Sequence, residues 1–159
     1  MDKNLLLKKI AASLCESLEV LTKAAQASRA EATHESSKAE NKYDTRGLEA
    51  AYLAGGQARQ AKEIMESIEL YQSLPARNFA ADEPVDLGAW VEVESDRARA
   101  FYFIGPKNGG LEVEWDGREI TVITPQSPLG RELMGKKAGQ RWMGKLGGTT
   151  VKYRMVKVE

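Results

Sequence analysis

Proline is absent from residues 1–74, while all five prolines and eleven of the fourteen glycines fall in 75–159. Proline lacks a backbone donor and clashes with the preceding helical turn, so a long stretch without it permits long helices. Its return together with glycine imposes turns. The chain therefore divides into a helical first half and a second half of short strands and turns. The change falls at Leu74-Pro75, and a linker runs on through Asp82-Glu83-Pro84. This gives a helical region over residues 1–76, a linker over 77–84 and a second domain over 85–159.

Two apolar stripes organise the first half. Leu7, Leu14, Leu21 and Ser28 recur every seven residues, with Ile10, Ser17, Ala24 and Glu31 as the companion series and Leu18 beside Ser17. This is the seam of a coiled coil, decaying toward Glu31. The second stripe is Leu48, Ala51, Tyr52, Gly55, Ala58, Ala61, Met65 and Ile68. A polar stretch over residues 31–44 separates the stripes, so the pattern predicts one antiparallel hairpin with its tip there. Helices of ~27 residues extend ~40 Å at 1.5 Å per residue. The 85 residues from Pro75 onward are too few to cover such a hairpin, so its distal part is expected to protrude. Small residues dominate the seam toward that end, and Gly55-Gly56 is a place for a slight bend.

The second half carries strand-like runs at 91–94, 100–104, 119–123 and 150–158. The last alternates most cleanly, with Val151, Tyr153 and Met155 inward and a shift at Val156. Lys107-Asn108-Gly109-Gly110 and Asp116-Gly117 read as turns. One helix is signalled among the strands. Ser127 suits the N-cap, Pro128 the first helical position and Gly135 the residue past the end. The expectation is an α+β domain in which this short helix lies on an antiparallel sheet.

Composition removes several classes of function. Lys and Arg number 23 and Asp and Glu also 23, so bulk positive charge does not steer this chain to nucleic acid. One cysteine, Cys15, excludes an intramolecular disulfide and a cysteine zinc cluster, and it is expected to pack beside the first stripe. The single histidine, His34, reads as a solvated loop residue. No apolar run reaches the ~20 residues that span a bilayer, and the amino end does not read as a signal peptide. Cytoplasmic localisation, no membrane partner and a monomeric state are the expectations. Burial tendency assigns two of Trp90, Trp115 and Trp142 to a core. Glu92, Glu94 and Asp96 read as the solvent face of a strand.

The run Val122-Ile123-Thr124-Pro125-Gln126-Ser127-Pro128-Leu129-Gly130-Arg131-Glu132-Leu133-Met134-Gly135-Lys136-Lys137-Ala138-Gly139-Gln140 resembles the signature of the Gre family of bacterial transcription elongation factors. There a strand leads into a capped helix with a positive end and a following turn, and Gln140 stands where the family usually has aspartate. The amino-terminal hairpin, the linker and the closing strand with Tyr153 also correspond. The resemblance implies an FKBP-like second domain that docks on RNA polymerase, and a hairpin that enters the secondary channel. There, acidic tip residues help hold a catalytic Mg²⁺ of the polymerase, and backtracked RNA is cleaved. The factor is then not an enzyme by itself, and its contact with nascent RNA or DNA is indirect.

The tip departs from that pattern. Glu40-Asn41 aligns with the family's Glu-Asn, whereas Ser37 falls on its aspartate and Lys38 follows. Glu40 is the candidate carboxylate for a shared Mg²⁺, and Glu35 and Asp44 are the candidate replacements for the missing one. Ser37-Lys38-Ala39-Glu40 also reads as a capping box for the second helix, and Glu35 and Asp44 as solvated charges. The resemblance therefore leaves two functions: stimulation of cleavage, and non-cleaving occupation of the channel in competition with other factors. An FKBP-like binding or prolyl-isomerase module ranks behind both. Docking is expected from a basic face, because residues 120–158 hold eight Lys and Arg against the single acid Glu132. Arg131, Lys136, Lys137 and Arg141 are the candidates, balanced in the bland reading by Glu112, Glu114 and Asp116.

Overall fold

The computed structural model describes residues 2–33, 46–80, 82–96, 98–146 and 149–159. Helix α1 is Lys3–Thr33 and helix α2 is Arg46–Ser73. Strands β1 (Trp90–Ser95), β2 (Arg99–Ile104), β3 (Glu112–Trp115) and β4 (Arg118–Ile123) follow. Helix α3 (Pro128–Leu133) precedes β5 (Arg141–Leu146) and β6 (Thr149–Val158). The chain forms two compact units, one of Ala11–Glu69 and one of Met1–Ile10 with Leu70–Glu159.

In the helical unit the α1 seam runs through buried Leu14 and half-buried Leu18, Leu21 and Ala24. Burial falls along the helix, already between the equal-sized Leu14 and Leu21. The α2 seam has a different phase from the expected stripe. Gln57, Ala61, Ile64 and Ile68 turn inward, a 4-3-4 spacing, while Tyr52 is 76% and Met65 52% exposed. The polar Gln57 occupies a seam position and disguises that phase. Cys15, expected to pack beside the seam, is exposed, since it lies one residue past Leu14. Gly55 and Gly56 lie within α2, and among the described residues a Cβ on either would meet nothing within 4 Å.

In the other unit the strands form one sheet in the order β3-β4-β2-β1-β6-β5. It is mixed rather than antiparallel throughout, because β2 and β4 pair in parallel, with Phe101 beside Ile120 and Phe103 beside Val122. The chain leaves β2, runs out to the edge strand β3 and returns antiparallel to it as β4. The excursion between Ile104 and Arg118 is long enough for the crossover that parallel neighbours require. The Asp116-Gly117 turn joins β3 to β4 with φ of 51° and 70°, both left-handed, which suits a two-residue hairpin. The shift expected at Val156 is present. Glu92 pairs with Lys157 and Val93 with Met155, leaving Val156 as an extra residue. Met155 and Val158 are thereby both buried.

Both faces of the sheet are covered. On one, Val91, Val93, Ile104, Met155 and Val158 pack with Leu133 of α3, and with Phe79, Val85 and Ala89 from the preceding segment. On the other, Trp90, Phe103, Ile120 and Val122 are buried. The same unit holds buried Leu6, Leu7, Ile10 and Tyr71. Lys9 Nζ donates to Glu114 O at 2.7 Å, and Tyr71 Oη–H donates to Lys107 O at 2.6 Å. Gly105 makes room for Tyr71, since a Cβ there would sit 2.2 Å from its hydroxyl. Lys3 is buried, donating to Arg77 O at 2.5 Å with its ammonium 4.5 Å from the centre of the Phe79 ring. Burial lowers its pKa to about 8.

Candidate functional site

The expected short helix is built as its sequence directs. Ser127 is extended at φ −66° and ψ 157°, and its Oγ accepts the Gly130 N–H at 3.0 Å. That hydroxyl donates to Thr124 O at 2.8 Å, so it fixes the loop as well as the helix start. Pro128 opens the helix. Gly135, at φ +76°, ends it and donates to Val85 O at 2.9 Å, while Val85 N–H donates to Lys136 O at 2.8 Å. The helix exit is thus stitched to the segment before β1.

The turn that follows explains Gln140. Its Oε1 accepts the Lys137 N–H at 2.9 Å, and Gly139, at φ +83°, donates to Met155 O at 2.7 Å. An amide oxygen here supplies the acceptor that an aspartate would supply, so the departure from the family pattern keeps the turn. Beside it, Trp142 stacks on Tyr153 with centroids 5.4 Å apart and an angle of 22°. Lys136 Nζ lies 5.0 Å from the Trp142 ring centre, and Trp142 Nε1 donates to Glu132 Oε2 at 3.3 Å. A Cβ on Gly144 would stand 2.7 Å from that same carboxylate oxygen and 2.8 Å from Tyr153. Glycine therefore leaves the socket in which Glu132, the one acid of this stretch, holds the tryptophan.

The charges sort into neutralised and free. Arg154 is bonded to Glu94 through Nε at 3.0 Å and a terminal nitrogen at 2.7 Å, and Lys157 meets Glu159 at 2.5 Å. Arg131, Lys137 and Arg141 are exposed, Lys136 half-buried, and none of the four has a carboxylate partner among the described residues. Arg131 Nε instead donates to Gln126 O at 2.9 Å. Glu112, Glu114 and Asp116 do not balance these charges locally, since β3 and its turn form the edge of the sheet opposite β5.

Arg131 lies in α3, and Lys136 and Lys137 follow at its exit. Arg141 stands apart from them. It pairs across the strands with Arg154, on the face opposite its neighbour Trp142, which packs toward α3. Glu92 and Glu94 are engaged rather than free, bonded to Arg99 and Arg154. Of the tryptophans, Trp90 alone is fully buried, while Trp115 and Trp142 are half-buried. Sequence reasoning missed the Glu132–Trp142–Gly144 arrangement, whose only signal was a lone acid in a basic stretch. The tip candidates Glu35, Glu40 and Asp44, with Ser37 and His34, lie outside the described residues. Among the described residues no group of three or more His, Cys, Asp or Glu could hold a metal ion.

Residues 80–159 match the family model described as the C-terminal part of the transcription elongation factors GreA/GreB. The chain belongs to the GreA/GreB family. Its capped helix α3 and the turn at Gln140 lie inside the matched region. No curated protein shows a significant match. Among solved structures, the chain is similar to Thermus aquaticus Gfh1 at 21% identity and TM-score 0.39, over 98% of this chain and 92% of that one. It is similar to GreA factor homolog 1 (Gfh1) of Thermus thermophilus at 19% and 0.38, over 94% of each. A GreA/GreB factor from Nitrosomonas europaea is similar at 18% and 0.37, over 62% of this chain and 78% of that one. No helix among the described residues is long and apolar enough to cross a membrane.

Proposed function

We propose that this Gre-family factor binds RNA polymerase through its sheet unit and delivers the hairpin tip into the secondary channel. The observation that carries the reading is the family match over residues 80–159, with the capped helix and its unneutralised cations inside it. Arg131, Lys136 and Lys137 present the charge, and the Glu132–Trp142 socket keeps their supports in place. In this reading the chain is not an enzyme alone. Its part is to carry the Glu40 carboxylate, with Glu35 or Asp44, to a Mg²⁺ belonging to the polymerase. That ion supplies the activated water for hydrolysis of backtracked RNA.

A second reading has its own support in the sequence. Ser37 and Lys38 stand where the family places an acidic residue and its neighbour, and a lysine opposes cation binding. The factor would then occupy the channel without stimulating cleavage.

Cleavage of RNA in stalled, backtracked elongation complexes with Mg²⁺ separates the two. Cleavage that Glu40→Ala abolishes supports the first reading. Absence of cleavage, with inhibition of an active cleavage factor in the same reaction, supports the second. Absence of both, with no binding to core polymerase, rejects the docking common to them. Charge reversal tests the docking face itself. Arg131→Glu, Lys136→Glu and Lys137→Glu are each expected to weaken polymerase binding, with a smaller difference at high salt. Unchanged affinity in all three variants rejects that face.

A further inference from the structure

Within the sheet unit, the face carrying Trp90 holds a cleft of about 380 Å³. Trp90, Trp115, Asp116, Arg118, Ile120 and Lys157 line it, together with the acids Asp2 and Glu159. Trp115 and Arg118 are cross-strand partners on either side of the Asp116-Gly117 turn, so their side chains share a face. The Arg118 guanidinium lies 5.1 Å from the Phe101 ring centre, and Phe101 stacks on Trp90 at 5.8 Å and 12°. The cleft is therefore floored by stacked rings and edged by ionic groups.

Lys157 is spent on Glu159, whereas Arg118 and Asp116 are not neutralised. Among the described residues, neither Arg118 nor Asp116 makes a side-chain hydrogen bond or ion pair, although they lie two residues apart. Trp90 is 2% exposed, and its buried Nε1–H finds no acceptor among the described residues. A buried donor left unpaired costs free energy, and a native protein seldom retains one without a use. The cleft thus offers an aromatic platform, a guanidinium fork and a carboxylate.

The ligand that answers this set is planar, with paired acceptors on one edge and donors on the adjoining edge. Guanine has both edges. Its O6 and N7 accept from an arginine fork, while N1–H and the N2 amino group donate to a carboxylate. Adenine presents an amino donor where guanine has O6, so the fork finds no matching pair. Bases stack on tryptophan whatever their sequence. We propose that this cleft binds a guanine base, with Trp115 as the stacking surface, Arg118 reading O6 and N7, and Asp116 accepting from N1–H and the amino group. The assignment goes beyond polymerase binding and does not rest on it.

Tryptophan fluorescence of the full chain, titrated with GMP, AMP, CMP and UMP, tests it. Saturable quenching by GMP with about tenfold weaker binding of AMP is expected, in line with one bidentate edge contact. Arg118→Ala should remove that preference, and Trp115→Ala should weaken every nucleotide by about tenfold. Asp116→Asn is the variant least able to disturb folding, because asparagine accepts the left-handed backbone of this turn. It too should erase the preference for GMP. A single-stranded RNA pentamer with one central guanine distinguishes the source of the base. Tighter binding of the pentamer than of GMP assigns the cleft to RNA, and equal binding assigns it to a free nucleotide. No saturable quenching at millimolar GMP overturns the proposal, as does equal binding of all four nucleotides by the folded wild-type chain.

Discussion

The helical unit and the sheet unit bury their residues in opposite ways. Along Ala11–Glu69 the inward positions of α1 pass from buried Leu14 to half-buried Leu21 and Ala24. In the sheet unit, Ile104, Ile120, Val122, Leu133 and Met155 are all fully buried, and both faces of the sheet are covered. The first unit is held by neighbouring turns and a thin seam. The second is held by pairings between distant strands and by closely fitted exceptions such as Gly105 against Tyr71. Substitutions should therefore be absorbed in one region and punished in the other.

The sharpest break of that contrast is truncation of an isoleucine in each. Ile104→Ala should cost about 4 kcal/mol, near the upper end for a buried aliphatic side chain, because the surrounding sheet cannot collapse into the cavity. Ile64→Ala, at a half-buried seam position, should cost about 2 kcal/mol. Urea unfolding of both variants checks the difference, and equal costs would remove the distinction.

A somewhat smaller effect should appear in the sheet unit on raising the pH. The unfolded chain keeps the Lys3 proton up to the ordinary value of 10.5, while the folded chain releases it near pH 8. Between those values the unfolded state binds more protons, so this group makes stability rise with pH. The gain from pH 7 to 10.5 is on the order of 3 kcal/mol, less what the other titrating groups remove. Lys3→Met lacks it, so the stability difference between wild type and variant, measured at both pH values, isolates the effect. A difference independent of pH would refute it.

The smallest effect has the opposite sign and belongs to the helical unit. Gly55→Ala and Gly56→Ala should each stabilise by about 1 kcal/mol, since among the described residues a Cβ meets nothing within 4 Å and the helix gains propensity. Thermal unfolding should show an upward shift for each and a roughly additive one for the pair.

The same contrast explains what could be read in the sequence. Helix α3 was legible because Ser127, Pro128 and Gly135 each act locally, through a hydroxyl acceptor, a fixed φ and a left-handed exit. The four inner strands were legible from their apolar content. The two edge strands were not: β3 has four residues, and β5 carries Arg141 and Gly144 among its six. An edge strand needs less apolar surface than an inner one, so its sequence signal is weak. The phase of α2 was misjudged because Gln57 sits inward while Met65 sits outward, against their polarity. Within the candidate site, Arg131, Lys136 and Lys137 were legible as a basic run, but Arg141 was not separable from them. Which face a strand residue takes depends on where the strand starts, and β5 begins at that residue.

The position of β6 has a further consequence for how the chain assembles. It is the last of the six strands in sequence, yet it lies inside the sheet, between β1 and β5. Until it arrives, β1 has one bare edge and β5 has no strand to pair with. The sheet unit also recruits Met1–Ile10 from the far end of the sequence. During synthesis the hairpin can form early from contacts that are near in sequence, whereas the sheet must wait for its final strand. A ribosome halted before β6 should therefore carry folded helices and an open, adhesive set of strands, the interval in which this protein most needs a chaperone.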